Sequence, residues 1–359
     1  MRSPRPGYVY ALAAAGLFGA STPAAKWLLS SQGQLSPWLM AGILYLGSGL
    51  GLGLMRMASR LSGHRSQEAP LRGQDWGWLG AATVFGGILG PVLLLFGLAR
   101  MAAGSASLLL NLEGVFTAGL AWFVFKEHFD RRIFLGMVLI LAGGAVLSWT
   151  RSGPGMGGGG SVLVGGACLC WALDNNLTRR VSGSDALQIT MVKGLIAGIT
   201  NTLLALSLGH VRASLFQGVA GGLIGFFGYG LSLMCFVLAL RHIGTARTGA
   251  YFSLAPFVGA LIALGMGSEP LTLRLIVSGG LMALGVWLHL TEHHEHEHLH
   301  EALVHEHLHW HDEHHQHLHD PSDPSDEPHS HHHQHEPVLH SHPHFPDLHH
   351  THSHGKLDS

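Results

Sequence analysis

Long apolar stretches separated by short polar breaks fill the first 290 residues, and a helix crossing a bilayer needs about 20 mostly apolar residues. Ten such stretches, near 8–29, 37–57, 76–98, 102–125, 132–150, 161–179, 186–208, 215–239, 245–267 and 272–290, predict ten membrane helices. The widest breaks are a polar loop at 56–75 and the run Ser152-Gly-Pro-Gly-Met-Gly-Gly-Gly-Gly, which reads as a flexible linker. The pattern divides the chain into a first unit of five helices (1–150), the linker (151–160), a second unit of five (161–290) and a tail (291–359). From Glu292 the apolar runs stop and histidine alternates with acidic and small polar residues.

Composition sharpens that division. Of 359 residues 47% are hydrophobic and only 12% charged, with 50 glycines, which excludes an ordinary soluble enzyme. Residues 1–290 hold 19 of the 20 Lys/Arg and 8 of the 22 Asp/Glu, so the body is +11 and the tail −13 with histidine neutral. Of the 30 histidines, 25 lie between His293 and His354. Cys168, Cys170 and Cys235 sit in apolar runs without Cys-x-x-Cys spacing and read as small core residues. The basic N-terminus leads into an apolar run with no small-residue cleavage site, so it reads as the first membrane helix and not a removed signal.

Positive charge in short loops is retained on the cytoplasmic side. Arg2, Arg5, Arg56, Arg60, Arg65, Arg72, Lys126, Arg131, Arg132, Arg179, Arg180, Arg241 and Arg247 fall on one side, against Arg100, Arg151, Arg212 and Arg274 on the other. Both termini are therefore expected in the cytoplasm, with the body in a bacterial-type inner membrane.

The two units resemble each other. Asn111-Leu-Glu-Gly-Val-Phe, continuing to Glu127, lines up with Ser253-Leu-Ala-Pro-Phe-Val, continuing to Glu269, and Gly104-Ser-Ala-Ser precedes the one as Gly244-Thr-Ala-Arg precedes the other. An odd number of spans per unit makes the second copy cross in the opposite sense. Inverted repeats of this kind occur in secondary transporters, with the solute path between the repeats near the midplane.

Together with Leu17-Phe-Gly-Ala-Ser-Thr-Pro, Lys126-Glu127, Trp171-Ala-Leu and Ala255-Pro256-Phe, these motifs resemble the drug/metabolite transporter superfamily with paired EamA-type domains. The resemblance covers about residues 8–290. It implies ten helices in a 5+5 inverted arrangement and movement of a solute by alternating access, commonly export; the substrate is left open. The His-rich tail departs from the family's usual ending soon after the tenth span.

An ionisable side chain in hydrocarbon costs at least about 2.5–3.5 kcal/mol on insertion scales, so each one lines water, is paired, or is functional. Glu113, near the middle of the fourth span with Asn111 two residues before it, has no cation within a turn on its own helix. It is a candidate for exchanging a proton against a cation, or a structural residue bonded to a neighbouring helix. Asp174-Asn175-Asn176 in the sixth span fan over about 200°, so Asp174 and Asn175 are expected to face the pore while Asn176 packs. Lys193 enters the seventh span at a depth where it can meet Asp174, as a structural ion pair or a coupling pair. Arg247, beside Thr245 and Thr248, is an anion-binding candidate or a cytoplasmic anchor. Lys26 and Arg179 are expected to snorkel to headgroups. Glu127 and Glu269 are expected to make helix-end contacts. Trp171, Tyr229, Tyr251 and Phe252 read as a solute wall or as packing, and the glycine runs as close helix contacts.

The tail carries His294, His296, His298, His300, His305, His307, His309, His311, His315, His317, His319, His331, His332 and His333 among carboxylates, a ligand set for borderline metals such as nickel, cobalt and zinc. Its prolines and low apolar content predict disorder without metal. No cofactor is required, no nucleic-acid partner is implied, and nothing marks an enzyme. The partners expected are the lipid bilayer, protons as coupling ion and a small solute; monomer and homodimer both stand. The leading expectation is proton-driven export of a divalent transition metal; the alternatives are export of amino acids or related metabolites with a metal-sensing or metal-storing tail, and a membrane-anchored metal-binding protein without transport.

Overall fold

A computed structural model describes residues 5–31, 35–63, 70–125, 131–149, 158–181, 184–210 and 212–291, and in the tail 295–300, 303–309, 329–335 and 338–343. Helix α1 spans Arg5–Ser30 and α2 Pro37–Leu61. Helix α3 (Asp75–Ala82) runs through a π-helical segment (Thr83–Leu89) into α4 (Gly90–Arg100). Then come α5 (Ala103–Leu109), α6 (Leu112–Phe125), α7 (Arg131–Ser148), α8 (Gly158–Arg179) and α9 (Ala186–Ser207). Helix α10 (Leu215–Gly225) passes through a second π-helical segment (Phe226–Leu231) into α11 (Ser232–Phe252), and α12 (Ala255–Gly265) and α13 (Leu273–Leu290) complete the body. The described body is all-helical. Five stretches, Pro37–Leu61, Asp75–Arg100, Arg131–Ser148, Ala186–Ser207 and Leu215–Ala239, are long and apolar enough to cross a membrane.

Local chemistry sets the ends. Proline occupies the first turn of α2 and α12, where a missing amide hydrogen costs little, whereas Pro91 follows the π segment inside the continuous helix Asp75–Arg100. The Asp185 and Thr272 side chains accept from the backbone amides three residues on, of Gln188 and Leu275, and Ser214 with Gln217 forms a reciprocal capping box. Helices α2, α9 and α12 are each followed by a glycine at positive φ, Gly63, Gly209 and Gly267, the left-handed residue that turns the chain out of a helix.

Three boundaries differ from the periodicity. The expected fourth span is broken at Leu110–Asn111 and the expected ninth at Ser253–Leu254, within one residue of corresponding positions in the internal repeat. The expected break between 239 and 245 is absent: α11 runs through it, because a lone Gly244 among helix-tolerant residues is too weak a breaker.

Helix pairing reproduces the repeat. Helix α2 lies along α9, α7 along α13, and α5 against α12, each joining one unit to the other. Helix α1 packs on α11, α12 and the second π segment, and its counterpart α8 packs on α6, α4 and the first. Exchanging the two units maps the α2–α9, α7–α13, α1 and α8 contacts onto one another. The seams are closed by glycine: Gly49 meets Gly194 and Gly19 meets Gly259 with no room for a side chain on either, and Gly47 lies against the Gly222 backbone with no room for one of its own. Outward, Leu54, Phe134, Val162, Leu203, Leu261 and Ile276 stand exposed, as a lipid-facing surface requires. Cys168 and Cys235 are buried as small core residues, whereas Cys170 is only half-buried.

In the described segments of the tail the backbone pairs as strands. Strand β1 (Glu295–His300) pairs antiparallel with β4 (Val338–Pro343), and β2 (Leu303–His309) with β3 (His329–His335). The reason lies in the period-two spacing of the histidines, which suits a strand, while Pro321, Pro324, Pro328 and Pro337 fall between the paired segments. His294, His311, His315, His317 and His319 lie outside the described residues.

Candidate functional site

Helices α8 and α9 bring Asp174 and Lys193 together, both buried. The Lys193 ammonium donates to both carboxylate oxygens, Nζ to Oδ1 at 2.6 Å and to Oδ2 at 2.8 Å. Thr178, one turn on from Asp174, donates to Oδ1 at 2.9 Å and lies 3.2 Å from the ammonium. The carboxylate is therefore balanced in charge and in hydrogen bonds, the condition for keeping an ion pair in a low-dielectric interior. Glycine makes room for it: a side chain at Gly86, in the first π segment, would overlap the Asp174 carboxylate.

Glu113 sits in the first turn of α6 and is half-buried. Its Oε1 accepts from the Asn175 amide of α8 at 2.7 Å, so a neutral group from the other unit holds it. Asn175 itself is exposed. Asn111 does not join them. Its amide turns to the Leu108 carbonyl at 2.9 Å and lies 3.9 Å from the Met282 sulfur, bridging the break between α5 and α6. Asn176 donates to the Ala172 carbonyl of its own helix at 2.8 Å. The Arg247 and Arg179 side chains, and Glu127, lie outside the described residues.

An aromatic cluster lies where α1, α8 and the second π segment meet. Phe18 stands 6.0 Å from Trp171, 5.9 Å from Tyr229 and 5.3 Å from Phe252, edge-on or tilted, and Tyr45 lies 5.5 Å from Tyr229. The widened π turn frees carbonyls that an α-helix would occupy. Gly86 O accepts from the Tyr45 hydroxyl at 2.7 Å and the Trp171 indole at 3.1 Å, and Gly87 O from the Asn201 amide at 3.0 Å. The Tyr229 hydroxyl, buried near Ser21, has no hydrogen bond of ordinary geometry, and neither has the buried Thr22 hydroxyl. Tyr251 leaves the cluster and pairs with Tyr8 at 5.3 Å.

The repeat identifies a polar position that apolar patterning passed over. Counting from the corresponding Lys26 and Arg179, Ser21 falls where Asp174 does and Phe18 where Trp171 does. The structure matches them: Gly228 of the second π segment stands against Ser21 as Gly86 of the first stands against Asp174. Lys26 corrects an expectation. It does not snorkel but donates to the Leu98 carbonyl at 2.6 Å, because the unsatisfied carbonyls at the end of α4 attract a cation more closely than headgroups do. Glu269 reaches the start of α5, accepting from the Ser105 amide at 2.9 Å and from the Ser105 hydroxyl, a contact between the units. A second such contact joins Arg56 to Asp185 at 3.3 Å.

A family model for EamA-like transporters matches residues 5–149 and 158–291, one copy on each unit. A relative from Methanothermobacter thermautotrophicus described as an uncharacterized transporter is 28% identical over 297 residues, 79% of this chain and 85% of that protein. The uncharacterized transporter YyaM of Bacillus subtilis is 26% identical over 56% of this chain and 68% of its own length. A probable 4-amino-4-deoxy-L-arabinose-phosphoundecaprenol flippase subunit, ArnE of Pseudomonas fluorescens, is 43% identical over 72 residues, 20% of this chain and 62% of that protein. One solved crystal structure shares the fold with a TM-score of 0.58 at 16% identity, covering 79% of this chain and 94% of the other.

Proposed function

Because the chain belongs to the EamA-like transporter family, and is thus a multi-pass membrane transporter, we infer that it is a proton-coupled exporter of a small organic solute. The carrying observation is the division of labour between its two intramembrane carboxylates. Asp174 is engaged by Lys193 and Thr178, whereas Glu113, among the described residues, is held by the neutral amide of the exposed Asn175. A carboxylate so placed takes up and releases a proton as access changes, and its charge alternately attracts and releases a cationic or zwitterionic solute. The ring edges of Phe18, Trp171, Tyr229 and Phe252, with the few hydroxyls around them, are the kind of wall that an organic molecule fills. The path runs between the two units, with ten crossings in a 5+5 inverted arrangement, both termini in the cytoplasm and the body in the inner membrane.

The second reading, export of nickel, cobalt or zinc, is favoured by the histidine tail. It is weakened in the body, where Asp174 is already neutralised and no group of three His, Cys, Asp or Glu side chains gathers among the described residues. Proteoliposomes with an imposed proton gradient separate the readings. Flux of amino acids or aromatic amines that is lost in Glu113→Gln, with no flux of nickel, cobalt or zinc, supports the organic solute. Divalent-metal flux that survives truncation at Thr291 overturns it in favour of the metal.

A further inference from the structure

Helices α7 and α13 close on glycine along the middle of their seam. A Cβ at Gly285 would lie 2.6 Å from the Gly136 carbonyl oxygen and one at Gly143 would lie 3.0 Å from that of Ser278, whose hydroxyl donates to the Gly143 carbonyl. Beyond this point, where α7 ends at Ser148 and α13 begins at Leu273, the seam opens into a groove of about 430 Å³. Its lining follows from helical spacing. Ala145 lies four residues before Trp149, whose amide donates to the Ala145 carbonyl at 2.9 Å, and Arg274 lies three before Val277, so each pair shares a face. Val146 and Leu273 complete the wall, which leaves Arg274 the one charged residue in an apolar lining. Ala145, Trp149, Leu273, Arg274 and Val277 are all exposed, so the groove opens outward to lipid. Arg274 forms no ion pair among the described residues.

We propose that this groove holds one anionic phospholipid of the leaflet around it, with the phosphate on Arg274 and an acyl chain along Ala145, Val146 and Val277. The guanidinium offers a planar fork of donors that matches a phosphate. The unpaired first-turn amides and positive dipole end of α13 add to it. Trp149, 73% exposed at the end of α7, is a side chain that settles at headgroup level. A zwitterionic lipid fits the apolar slot as well but brings its own cation beside Arg274, so the groove selects for net negative charge. Helices α7 and α13 belong to different units, and the lipid therefore bridges the units at a seam that glycine already closes. The proposal concerns this groove alone and stands whatever solute is carried.

The test is native mass spectrometry of the full chain released from micelles that hold phosphatidylglycerol and phosphatidylcholine in equal amounts. The parent is expected to retain one phosphatidylglycerol over phosphatidylcholine by about fivefold, the effect of one arginine near an anionic surface. Arg274→Gln is expected to retain either lipid without preference, and Ala145→Trp, which fills the slot, to lose the retained lipid. Ile276→Trp, at an exposed position outside the groove, is expected to behave as the parent does. Equal retention of the two lipids by the parent, or a preference that survives Arg274→Gln, overturns the proposal, as does the same loss in Ile276→Trp. Displacement of the lipid by added glycerol 3-phosphate would assign the groove to a soluble phosphate and overturns it too.

Discussion

Replacing Asp174 with Leu leaves the Lys193 ammonium buried and without a counter-ion, and breaking a buried pair from one side costs about 3–5 kcal/mol. The double variant Asp174→Leu/Lys193→Met removes both charges at similar volume and is expected to regain most of that loss. Thermal unfolding in one fixed detergent measures both effects. Flux measured on the double variant adds a separate result: transport that survives assigns the pair to structure, and transport that is lost in a stable protein assigns it to coupling. The Asp174 to Lys193 contact was legible in the sequence as two opposite charges at one depth in successive spans. The Lys26 contact was not, since its acceptor is a backbone carbonyl of another helix, and carbonyls leave no trace in residue identity.

At the scale of elements, glycines with the same sequence signature have different consequences. Where α2 crosses α9, a Cβ on Gly194 would come within 2.7 Å of the Gly49 amide nitrogen. Gly194→Val is therefore expected to separate the helices, at the roughly 1–3 kcal/mol typical of overpacking. Gly165 in α8 has nothing within 4 Å of such a Cβ, and Gly165→Ala is expected to be neutral or to stabilise by up to about 1 kcal/mol. Unfolding midpoints in detergent compare the two, and equal shifts would remove the distinction. Long apolar runs were legible because lipid forces the backbone to satisfy itself helically. The π segments, and the continuation of α11 past the expected end of the eighth span, were hidden because both depend on which neighbour takes or spares a carbonyl.

Across the whole molecule, alternating access requires the units to part along at least one seam. The seam between α5 and α12 is held by Glu269 on Ser105; a Cβ at Gly104 would lie 3.6 Å from that of Ala263, inside the range of a disulfide, and 2.7 Å from Glu269 Oε2, so the reduced double variant is the reference for the loss of that contact. Oxidising Gly104→Cys/Ala263→Cys is expected to stop flux, and reductant to restore it, measured in the same proteoliposomes. Flux that continues through the oxidised form would place the moving seam elsewhere. Removing the Glu269 carboxylate tests the same contact more gently: Glu269→Gln keeps an acceptor for Ser105 and is expected to transport more nearly as the parent does than Glu269→Ala.

By itself the sequence determined that the chain is a helical membrane body in two corresponding halves with a histidine-rich extension, because apolar run length, charge asymmetry and repeat spacing are properties of order along the chain. It also named Glu113, Asp174, Asn175 and Lys193, since charge inside an apolar run is conspicuous wherever it lies. Tertiary structure alone decided which of these meet, that Asn111 bridges a helix break instead of joining them, and that Gly86 stands against Asp174 and Gly228 against Ser21. Those are matters of distance between helices, and distance follows from how glycine seams, freed carbonyls and side-chain volumes fit across residues that the chain itself keeps far apart.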